Sequence, residues 1–274
     1  MIVGVFSPES GEDKMDLKLA GTCGLVMAGT RGLGFAAAKA LAGEGVRLVL
    51  VGRDASIGQA AAAEIGGHAS FIRGDLSDAD FRAGLPSLAE QALNGPIGIL
   101  ITNAGGPPTG AFHEQPLDAW RRAYELNVFG HIDIAQRLVP GMTERGFGRV
   151  VNITSFVAKE PYPNMSLSNS VRAALHGAMA SLSKEVAGRG VTVNNVMPGI
   201  MDTGALERVI DARAAMHGSD ATTVRAAMAA EIPMGRLGTA NDFGPVCAFL
   251  CSPLADYITG QSIAVDGGLI HGMS

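Results

Sequence analysis

Short, nearly continuous apolar runs alternate along the chain with longer stretches of helical periodicity. The seven apolar runs, each predicted to be a strand, cover residues 24–28, 46–51, 69–72, 97–102, 149–154, 191–196 and 262–265. Six helices are predicted between them, at residues 32–43, 55–65, 77–93, 116–144, 164–187 and 240–251. Apolar strands separated by helices are typical of a parallel sheet covered on both faces. We therefore predict an α/β protein with a doubly wound, seven-stranded parallel sheet of the Rossmann type, in a single domain.

Two parts of the chain depart from this alternation. Residues 1–18 are polar and carry Gly, Pro and Glu, and we interpret them as an N-terminal tail without a function of its own. The rest, residues 19–274, is predicted to form the domain. Within it, residues 203–231 contain two short Ala- and Met-rich helices separated by His217-Gly-Ser. An insertion near the carboxyl ends of late strands is where a substrate lid would lie, so we predict a lid at about residues 200–232.

The composition is that of an intracellular globular protein. Of the 274 residues 47% are hydrophobic, and 21 basic residues oppose 26 acidic ones, with a net charge of −5 and no long run of either sign. This balance argues against a general nucleic-acid binder and against an electrostatic membrane anchor. No uncharged stretch reaches the roughly 18 residues of a membrane span, and no signal peptide is recognisable. Three cysteines are too few for a disulfide framework, so we expect a cytoplasmic protein, and we predict no metal site.

The first apolar run leads into Met27-Ala-Gly-Thr-Arg-Gly-Leu-Gly34, which we call the glycine loop, and then directly into a helix. Glycines allow a tight turn and a close approach of the backbone to a pyrophosphate, while a helix N-terminus offers free N–H groups and a positive dipole. The spacing differs from GxGxxG, however, and a tight turn that only joins strand to helix would explain it too. Taken alone, the loop is only suggestive of a dinucleotide site.

Five further motifs follow in order along the chain: Asp75-Leu76, Thr102-Asn-Ala-Gly105, Leu126-Asn127-Val128, Pro198-Gly-Ile-Met-Asp-Thr203 and residues 258–268. Together with the glycine loop, they resemble the short-chain dehydrogenase/reductase family, especially its members similar to 3-oxoacyl-[acyl-carrier-protein] reductases. The resemblance extends from about residue 16 to the end of the chain. It implies the fold predicted above, a nicotinamide dinucleotide cofactor and oxidoreductase activity on a small-molecule substrate.

The resemblance also assigns residues to the cofactor. The family's TGxxxGIG loop corresponds to the glycine loop, Asp75-Leu76 to the pair beside adenine, and residues 198–203 to the segment beside the nicotinamide. The residues expected to bind the cofactor are Ala28, Thr30, Arg31, Gly32, Leu33, Gly34, Arg53, Asp75, Leu76, Asn103, Ala104, Gly105, Arg172, Pro198, Gly199, Ile200 and Thr203. One of them departs from the family, because Ala28 stands where the first glycine is expected. We expect its methyl group to be tolerated if φ is negative there.

The end of the second strand bears on the choice between NAD and NADP. Folds that prefer NAD place an acidic residue there, which accepts hydrogen bonds from the ribose 2′-hydroxyl. Here the strand ends Val51-Gly-Arg53, and Arg53 together with Arg31 could bind a 2′-phosphate through charge-assisted hydrogen bonds. We therefore predict NADP(H). Asp54 is the counter-argument, since it could pair with Arg53 and cancel its charge.

The family works with an Asn-Ser-Tyr-Lys set, and this chain matches half of it. Asn127 and Ser155 stand at the first two positions, whereas Ser168 and Arg172 stand where the family has Tyr-x-x-x-Lys. The i, i+4 spacing keeps both side chains on one helical face. A serine hydroxyl is much less acidic than a phenol, and a guanidinium cannot be deprotonated to relay a proton. Ser168 is therefore a poor replacement acid, although Arg172 can still bind a ribose hydroxyl.

Other residues could supply the missing proton. Tyr162 is flanked by two prolines in the loop before the active-site helix, where it either replaces the missing acid, contacts substrate or only packs in the loop. The histidines that could act instead are His113, His176 and His217, although histidines at such positions are more often surface or packing residues. A water molecule entering by Asn127 is a further route.

Three functions fit these residues. The first is an NADP(H)-dependent reductase of a carbonyl or similar polarised double bond, with Ser155 contacting the substrate oxygen. The second is a non-redox enzyme like the halohydrin dehalogenases, which resemble this family and carry Ser-Tyr-Arg but lack the glycine loop and keep the tyrosine. The third is a pseudoenzyme that binds dinucleotide without turnover. The resemblance also implies a homodimer or homotetramer assembled through the helices predicted at residues 116–144 and 164–187.

Overall fold

The computed structural model describes residues 15–272, except for the side chains of Arg208, Ala212, Met216 and His217. Most of the predicted tail, residues 1–14, therefore lies outside the described residues. From residue 15 to 272 the chain forms one seven-stranded sheet with all strands parallel, in the order β3-β2-β1-β4-β5-β6-β7. The strands are β1 Cys23–Val26, β2 Arg47–Gly52, β3 Ala69–Arg73, β4 Ile97–Thr102, β5 Gly148–Ile153, β6 Val191–Pro198 and β7 Ser262–Val265.

The helices lie between the strands as the sequence predicts. They are α1 Gly32–Gly43, α2 Ala55–Ile65, α3 Ala79–Leu93, α4 Leu117–Tyr124, α5 Gly130–Arg145, α6 Ser166–Val186, α7 Gly204–His217, α8 Ala221–Ala230 and α9 Ala240–Cys251. Carboxylates cap several of them: Asp54 caps α2, Asp78 caps α3, and Thr239 with Asp242 forms a capping box before α9. Each cap satisfies N–H groups of a first turn that have no partner within the helix. None of the described helices combines the length and the hydrophobicity of a membrane span.

Two apolar cores lie on opposite faces of the sheet, as expected of a doubly wound fold. One core is formed with α3, α5 and α6 and includes Leu85, Ile134 and Leu175. The other is formed with α1, α2 and α9 and includes Leu41 and Phe243. Because both faces of the sheet are covered, the strands are mostly apolar, and this is why their apolar runs are nearly continuous along the sequence. The predicted fold is confirmed.

The helix predicted at residues 116–144 is interrupted. It consists of α4, a π-helical segment Glu125–Phe129, and α5. The buried guanidinium of Arg82 from α3 lies against this segment, with hydrogen bonds to Glu125 Oε1 at 2.7 Å and to Asp133 Oδ2 at 2.8 Å. A π-helical segment inserts one residue into the helical turn, and such segments are frequent at functional sites. The interruption contains Asn127, one of the predicted catalytic residues.

The order of the strands creates a crevice. In the sheet, β1 lies between β2 and β4. The chain continues from β1 toward β2 and from β4 toward β5, in opposite directions, so the loops after β1 and β4 diverge at the carboxyl ends of these strands. In open α/β sheets, ligands bind at such a switch point. The two short helices predicted at residues 203–231 are confirmed as α7 and α8, and they share an apolar cluster that includes Ile210 and Met228. Phe156, just after β5, packs against this cluster.

Candidate active site

The glycine loop joins the end of β1 to the start of α1. Arg31, which precedes α1, has an extended backbone, and its side chain does not cap the helix. Gly32 has a φ of +57°, and no atom lies within 4 Å of the position that a Cβ would take there. At Gly34 a Cβ would lie 2.5 Å from the Ala28 carbonyl oxygen, so only glycine lets the helix approach the loop this closely. Leu33, between Gly32 and Gly34, is half-buried. The result is an open helix N-terminus, which suits an anionic phosphate.

Ala28 lacks the backbone conformation that the sequence argument required. Its φ is +45°, in the left-handed region, so the condition under which the methyl group was expected to be tolerated is not met. The loop is held on both sides: Asn103 Nδ2 donates to the Ala28 carbonyl at 3.2 Å, and the Gly29 N–H donates to the Val51 carbonyl at 3.1 Å. An alanine in this region is strained by about 1–2 kcal/mol, because its Cβ crowds a carbonyl oxygen. The strain lies in the loop where the cofactor is expected.

Two exposed arginines lie close to this loop, Arg31 directly before α1 and Arg53 directly after β2. Neither Arg31 nor Arg53 forms an ion pair with any described residue. Asp54 does not cancel the charge of Arg53, because its carboxylate accepts a hydrogen bond from the Ile57 N–H at 3.0 Å and caps α2. The counter-argument of the sequence analysis is therefore answered, and both guanidinium groups are available to an anion.

Thr30 and the Asp75-Leu76 pair, which are among the residues predicted to bind the cofactor, lie around the same loops. Thr30 packs on the tip of β2, where a Cβ on the last residue of the strand would lie 2.8 Å from Thr30 Cγ2. Asp75 follows β3, and the hydrogen bond from the Ser77 amide is the main cause that lowers its pKa, with a smaller contribution from the charge of Arg53. Leu76 is buried.

The segment after β4 supports the glycine loop. Asn103 holds the Ala28 carbonyl through its side chain, Ala104 is buried, and Gly105 is exposed. No atom lies within 4 Å of the position that a Cβ would take at Gly105. Open space therefore lies above Gly32 on one side of the crevice and above Gly105 on the other.

The segment predicted beside the nicotinamide is fastened to β7. Pro198 ends β6, and the Gly199 N–H donates to the carbonyl of the last residue of β7 at 3.0 Å. A Cβ at Gly199 would come within 2.7 Å of the Asp266 Cα, so this glycine serves a close approach of two backbones. The Ile200 carbonyl accepts a backbone hydrogen bond at 3.0 Å, and Thr203 precedes α7 without capping it through its side chain.

Three neighbouring elements contribute the predicted catalytic residues. Ser155 follows β5 and is half-buried, with a long 3.4 Å hydrogen bond to its Oγ from a backbone N–H two residues later. Ser168 and Arg172 lie on the buried face of α6, with exposed fractions of 7% and 5%. Asn127 lies in the π-helical segment and is also buried. Arg172 Nη1 donates to the Ile153 carbonyl at 3.2 Å, which ties α6 to the end of β5.

Arg172 is a buried cation without a carboxylate partner among the residues from 15 to 272. Burial lowers its pKa to about 10, so the side chain stays charged at neutral pH. Its Nε has no hydrogen-bond partner within the protein, and the same is true of Asn127 Oδ1. A perturbed, unpaired charge in the interior is typical of a functional site.

Tyr162 lies in the loop between β5 and α6 and faces the α7–α8 segment. Its hydroxyl donates to Glu231 Oε2, just after α8, at 3.3 Å, and its ring lies edge-on to Phe156 with 5.9 Å between centroids. The Asn169 side chain fixes the loop by forming two hydrogen bonds with the Tyr162 backbone. The role of Tyr162 as an acid or a substrate contact stays a prediction.

The three candidate histidines lie in different surroundings. His113 is exposed, and the side chain of His217 is outside the described residues. His176 is within hydrogen-bond distance of Thr154 Oγ1, at 2.9 Å from Nε2, and of Ser262 Oγ, at 3.3 Å from Nδ1. Burial is the largest cause that lowers its pKa to about 4, so His176 is neutral at pH 7.

A fourth histidine, which the sequence analysis did not consider, lies close to Arg172. His131 is fully buried in α5, four residues after Asn127, and its Nδ1 lies 3.2 Å from the Leu126 carbonyl oxygen. Burial and, to a smaller extent, the charge of Arg172 lower its pKa to about 3. The only signal in the sequence was a histidine among apolar residues of a helix, which is more often a packing residue.

Comparison with known proteins decides the family. A profile of the family described as enoyl-(acyl carrier protein) reductase matches residues 27–270. The chain is 30% identical to the 3-oxoacyl-[acyl-carrier-protein] reductase of Haemophilus influenzae, over 92% of this chain and 99% of that protein. The chain belongs to the short-chain dehydrogenase/reductase family. The resemblance stated from the motifs is thereby confirmed.

Two further relatives show the range of this short-chain dehydrogenase/reductase family. The structure of L-sorbose reductase from Gluconobacter frateurii, complexed with NADPH and L-sorbose, matches with a TM-score of 0.90 and 26% identity, covering 94% of this chain and 100% of that chain. The protein named inactive 2-(S)-hydroxypropyl-CoM dehydrogenase 2, from Xanthobacter autotrophicus, is 32% identical over 85% of this chain and 98% of its own length. Membership of the family indicates an oxidoreductase. The choice between NAD and NADP and the source of the proton depend on this chain's own residues.

Proposed function

We propose that this short-chain dehydrogenase/reductase is an NADP(H)-dependent reductase of a carbonyl or similar polarised double bond. The observation that carries the proposal is the pair of exposed, unpaired arginines, Arg31 and Arg53, beside the open N-terminus of α1. Two guanidinium groups favour a 2′-phosphate, whereas an acidic residue at the tip of β2 would favour the free hydroxyl of NAD. The NADPH bound to the related L-sorbose reductase supports the same choice.

The residues present fit such a cofactor. Gly32 and Gly105 leave open space on the two sides of the crevice, and the buried charge of Arg172 is free to bind a ribose hydroxyl. When bound, the cofactor supplies the hydride. The chain's own part is to orient and polarise the substrate: Ser155 would donate a hydrogen bond to the substrate oxygen, and the positive charge of Arg172 would stabilise the negative charge that develops there.

The proton comes from a group other than Ser168 in this proposal. The Tyr162 hydroxyl reaches Glu231 next to α8, so a substrate between this loop and the α7–α8 segment would meet a phenol. We propose this segment as the lid and Tyr162 as the proton donor or a substrate contact. A water molecule held at Asn127 is the alternative source, because the Oδ1 atom there is buried without a partner.

The cofactor proposal is tested by fluorescence titration with NADPH and NADH. NADPH should bind more tightly than NADH to the wild type. Arg53→Ala should weaken NADPH binding about tenfold or more, because one charge-assisted contact to the phosphate is lost, and it should have little effect on NADH binding. Arg189→Ala is the matched control, because Arg189 is exposed at the amino end of β6, away from the crevice. Equal affinity for the two cofactors in wild type and variant would refute the NADP preference.

Turnover separates the three candidate functions. Oxidation of NADPH with a panel of carbonyl compounds supports the reductase. Binding of NADPH without turnover supports a dinucleotide-binding pseudoenzyme, an alternative favoured by Ser168 and Arg172 and by the existence of a relative named inactive. Absence of binding to both cofactors would favour a non-redox enzyme and refute the reductase.

We also propose a homodimer or homotetramer that forms through α4–α5 and α6. Ala173 and Gly177 are small and exposed on α6, and Phe129, 52% exposed, lies at the junction of α4 and α5. Small residues permit close contact between helices, and an exposed phenylalanine gains free energy when a partner covers it. Light scattering after size-exclusion chromatography measures the assembly directly.

A further inference from the structure

A row of polar side chains crosses the sheet near the carboxyl ends of β4 and β5. Thr102 of β4, Asn152 of β5, Asn195 of β6 and Ser262 of β7 lie directly opposite one another in neighbouring strands. Their side chains therefore share one face of the sheet, the face covered by α3, α5 and α6. Val150, two residues before Asn152, belongs to the apolar core of that face. Polar side chains inside a core are costly unless they are hydrogen-bonded.

The carbonyl of Asn194 fixes the direction of the hydrogen bonds along this row. Asn152 Nδ2 donates to it at 3.2 Å, and since a carbonyl only accepts, Asn152 Oδ1 is the atom that faces Thr102 and accepts from its hydroxyl at 2.7 Å. Asn152 Nδ2 also donates to Asn195 Oδ1 at 3.1 Å, and Asn195 Nδ2 in turn donates to Ser262 Oγ at 3.1 Å. The Ser262 hydroxyl therefore accepts from the row and has its single hydrogen left to donate.

The hydrogen bonds continue from Ser262 into α6 and return to β5. Ser262 Oγ lies 3.3 Å from His176 Nδ1, and His176 Nε2 lies 2.9 Å from Thr154 Oγ1. Thr154 donates its only hydroxyl hydrogen to the Val196 carbonyl at 3.2 Å, so it accepts from His176. The neutral His176 ring therefore carries its proton on Nε2 and accepts from Ser262 through Nδ1. All the hydrogen bonds from Thr102 to Val196 then run in one direction.

Burial keeps these side chains in one arrangement. Thr102 and Asn152 are 0% exposed, Asn195 is 3% and Thr154 is 4% exposed, and each of their side-chain nitrogens and oxygens has a partner. A buried network with all its groups satisfied restricts each member to a single orientation. We call the six side chains the polar network; its members are Thr102, Asn152, Asn195, Ser262, His176 and Thr154.

The polar network ends at the segment that carries Ser155. Thr154 directly precedes Ser155, and Arg172 Nη1 donates to the carbonyl of Ile153, one residue earlier. His176 lies one turn after Arg172 in α6, so the two side chains share one face of the helix. Two neighbouring side chains of α6 therefore hold the two residues that lead into Ser155.

We propose that His176 is a positioning residue, which fixes the place of Ser155 by donating from Nε2 to Thr154. Its effect on turnover rests on the proposed reductase function, in which Ser155 contacts the substrate oxygen. Orientation of the ring comes from Ser262, which occupies Nδ1 and leaves the proton on the side of Thr154. Because both ring nitrogens are engaged within the protein, this role differs from that of the proton donor considered from the sequence.

The direction of the polar network is tested by a neutron crystal structure of the full chain, perdeuterated, at neutral pH. We expect deuterium on His176 Nε2, none on Nδ1, and the Ser262 hydroxyl deuterium pointing at Nδ1. Deuterium on Nδ1, or on both nitrogens, would overturn the assignment. This result is read from the protein itself and does not depend on activity. Absent NADPH turnover in the wild type would instead refute the reductase and, with it, the effect of His176 on turnover.

The kinetic test compares two amides at residue 176. Glutamine places an N–H donor near the position of Nε2, whereas asparagine places an oxygen near Nδ1 and has no group that reaches Thr154. His176→Asn should lower kcat about tenfold or more, because small displacements of a reacting group are costly, with the KM for NADPH within about twofold. His176→Gln should keep kcat within about threefold of the wild type. His68→Asn, on the exposed turn before β3, is the matched control and should leave both constants unchanged. Equal loss of kcat in the two His176 variants would show a packing role only.

A double-mutant cycle tests whether His176 acts through Thr154. Thr154→Val removes the hydroxyl and keeps the shape of the side chain, so it should lower kcat about as much as His176→Asn. The double variant should lose no more than about a further twofold, because both substitutions remove the same hydrogen bond. Losses that multiply in the double variant would show independent effects and overturn the positioning role.

Discussion

The alanine in the glycine loop offers a sharp test of the structure. At φ +45° a side chain costs about 1–2 kcal/mol relative to the right-handed region, and glycine does not incur this cost. Replacing alanine by glycine also increases the freedom of the unfolded chain, which costs about 0.4–1 kcal/mol. The difference predicts that Ala28→Gly raises the free energy of unfolding by roughly 1 kcal/mol or slightly less. For a domain of this size, that corresponds to a rise in Tm of about 2–4 °C.

Thermal unfolding followed by circular dichroism measures this effect. Ala63→Gly is the matched control, because Ala63 is exposed within α2 and the same substitution there should lower the free energy of unfolding by about 1 kcal/mol. The two variants should therefore shift Tm in opposite directions. If Ala28→Gly destabilised the protein as Ala63→Gly does, φ at residue 28 would be negative, and the account of a strained loop would be wrong.

Three further predictions concern the site and the assembly. Tyr162→Phe should reduce NADPH turnover about a hundredfold if the phenol donates the proton, and a variant as active as the wild type would exclude that role. Burial lowers the pKa of His131 to about 3 and of His176 to about 4, from an ordinary value of 6.5, so the unfolded chain binds more protons between these values. The free energy of unfolding in urea should accordingly fall as the pH drops from 6.5 toward 4, and His176→Gln should reduce this fall; a pH dependence unchanged in the variant would contradict the assignment. Gly177→Arg, on the exposed face of α6, should give a monomer in light scattering, and an unchanged mass would remove α6 from the interface.

Much of the fold follows from local patterns. The bounds predicted for α1, α2, α9, β4 and β7 agree with the structure, because a glycine, a capping residue or the end of an apolar run marks each end. The interruption of the helix at residues 116–144 could not be predicted in this way. The segment contacts Arg82, more than forty residues earlier in the chain, whose buried guanidinium binds Glu125 and Asp133, and such a distant contact is not visible in local periodicity.

The candidate site likewise has features that the sequence predicts and features that only the tertiary structure shows. The sequence alone contains the glycine loop and shows no acidic residue at the tip of β2, since these are matters of residue type and spacing. The family resemblance predicts that Ser168 and Arg172 stand at the tyrosine and lysine positions, and this assignment stays a prediction. The positive φ of Ala28, the use of Asp54 as a helix cap and the burial of His131 beside Arg172 were decided only by the tertiary structure. A backbone angle in a loop, the partner of a carboxylate and the desolvation of a side chain all depend on which distant segments pack against it, and spacing along the chain does not contain that information.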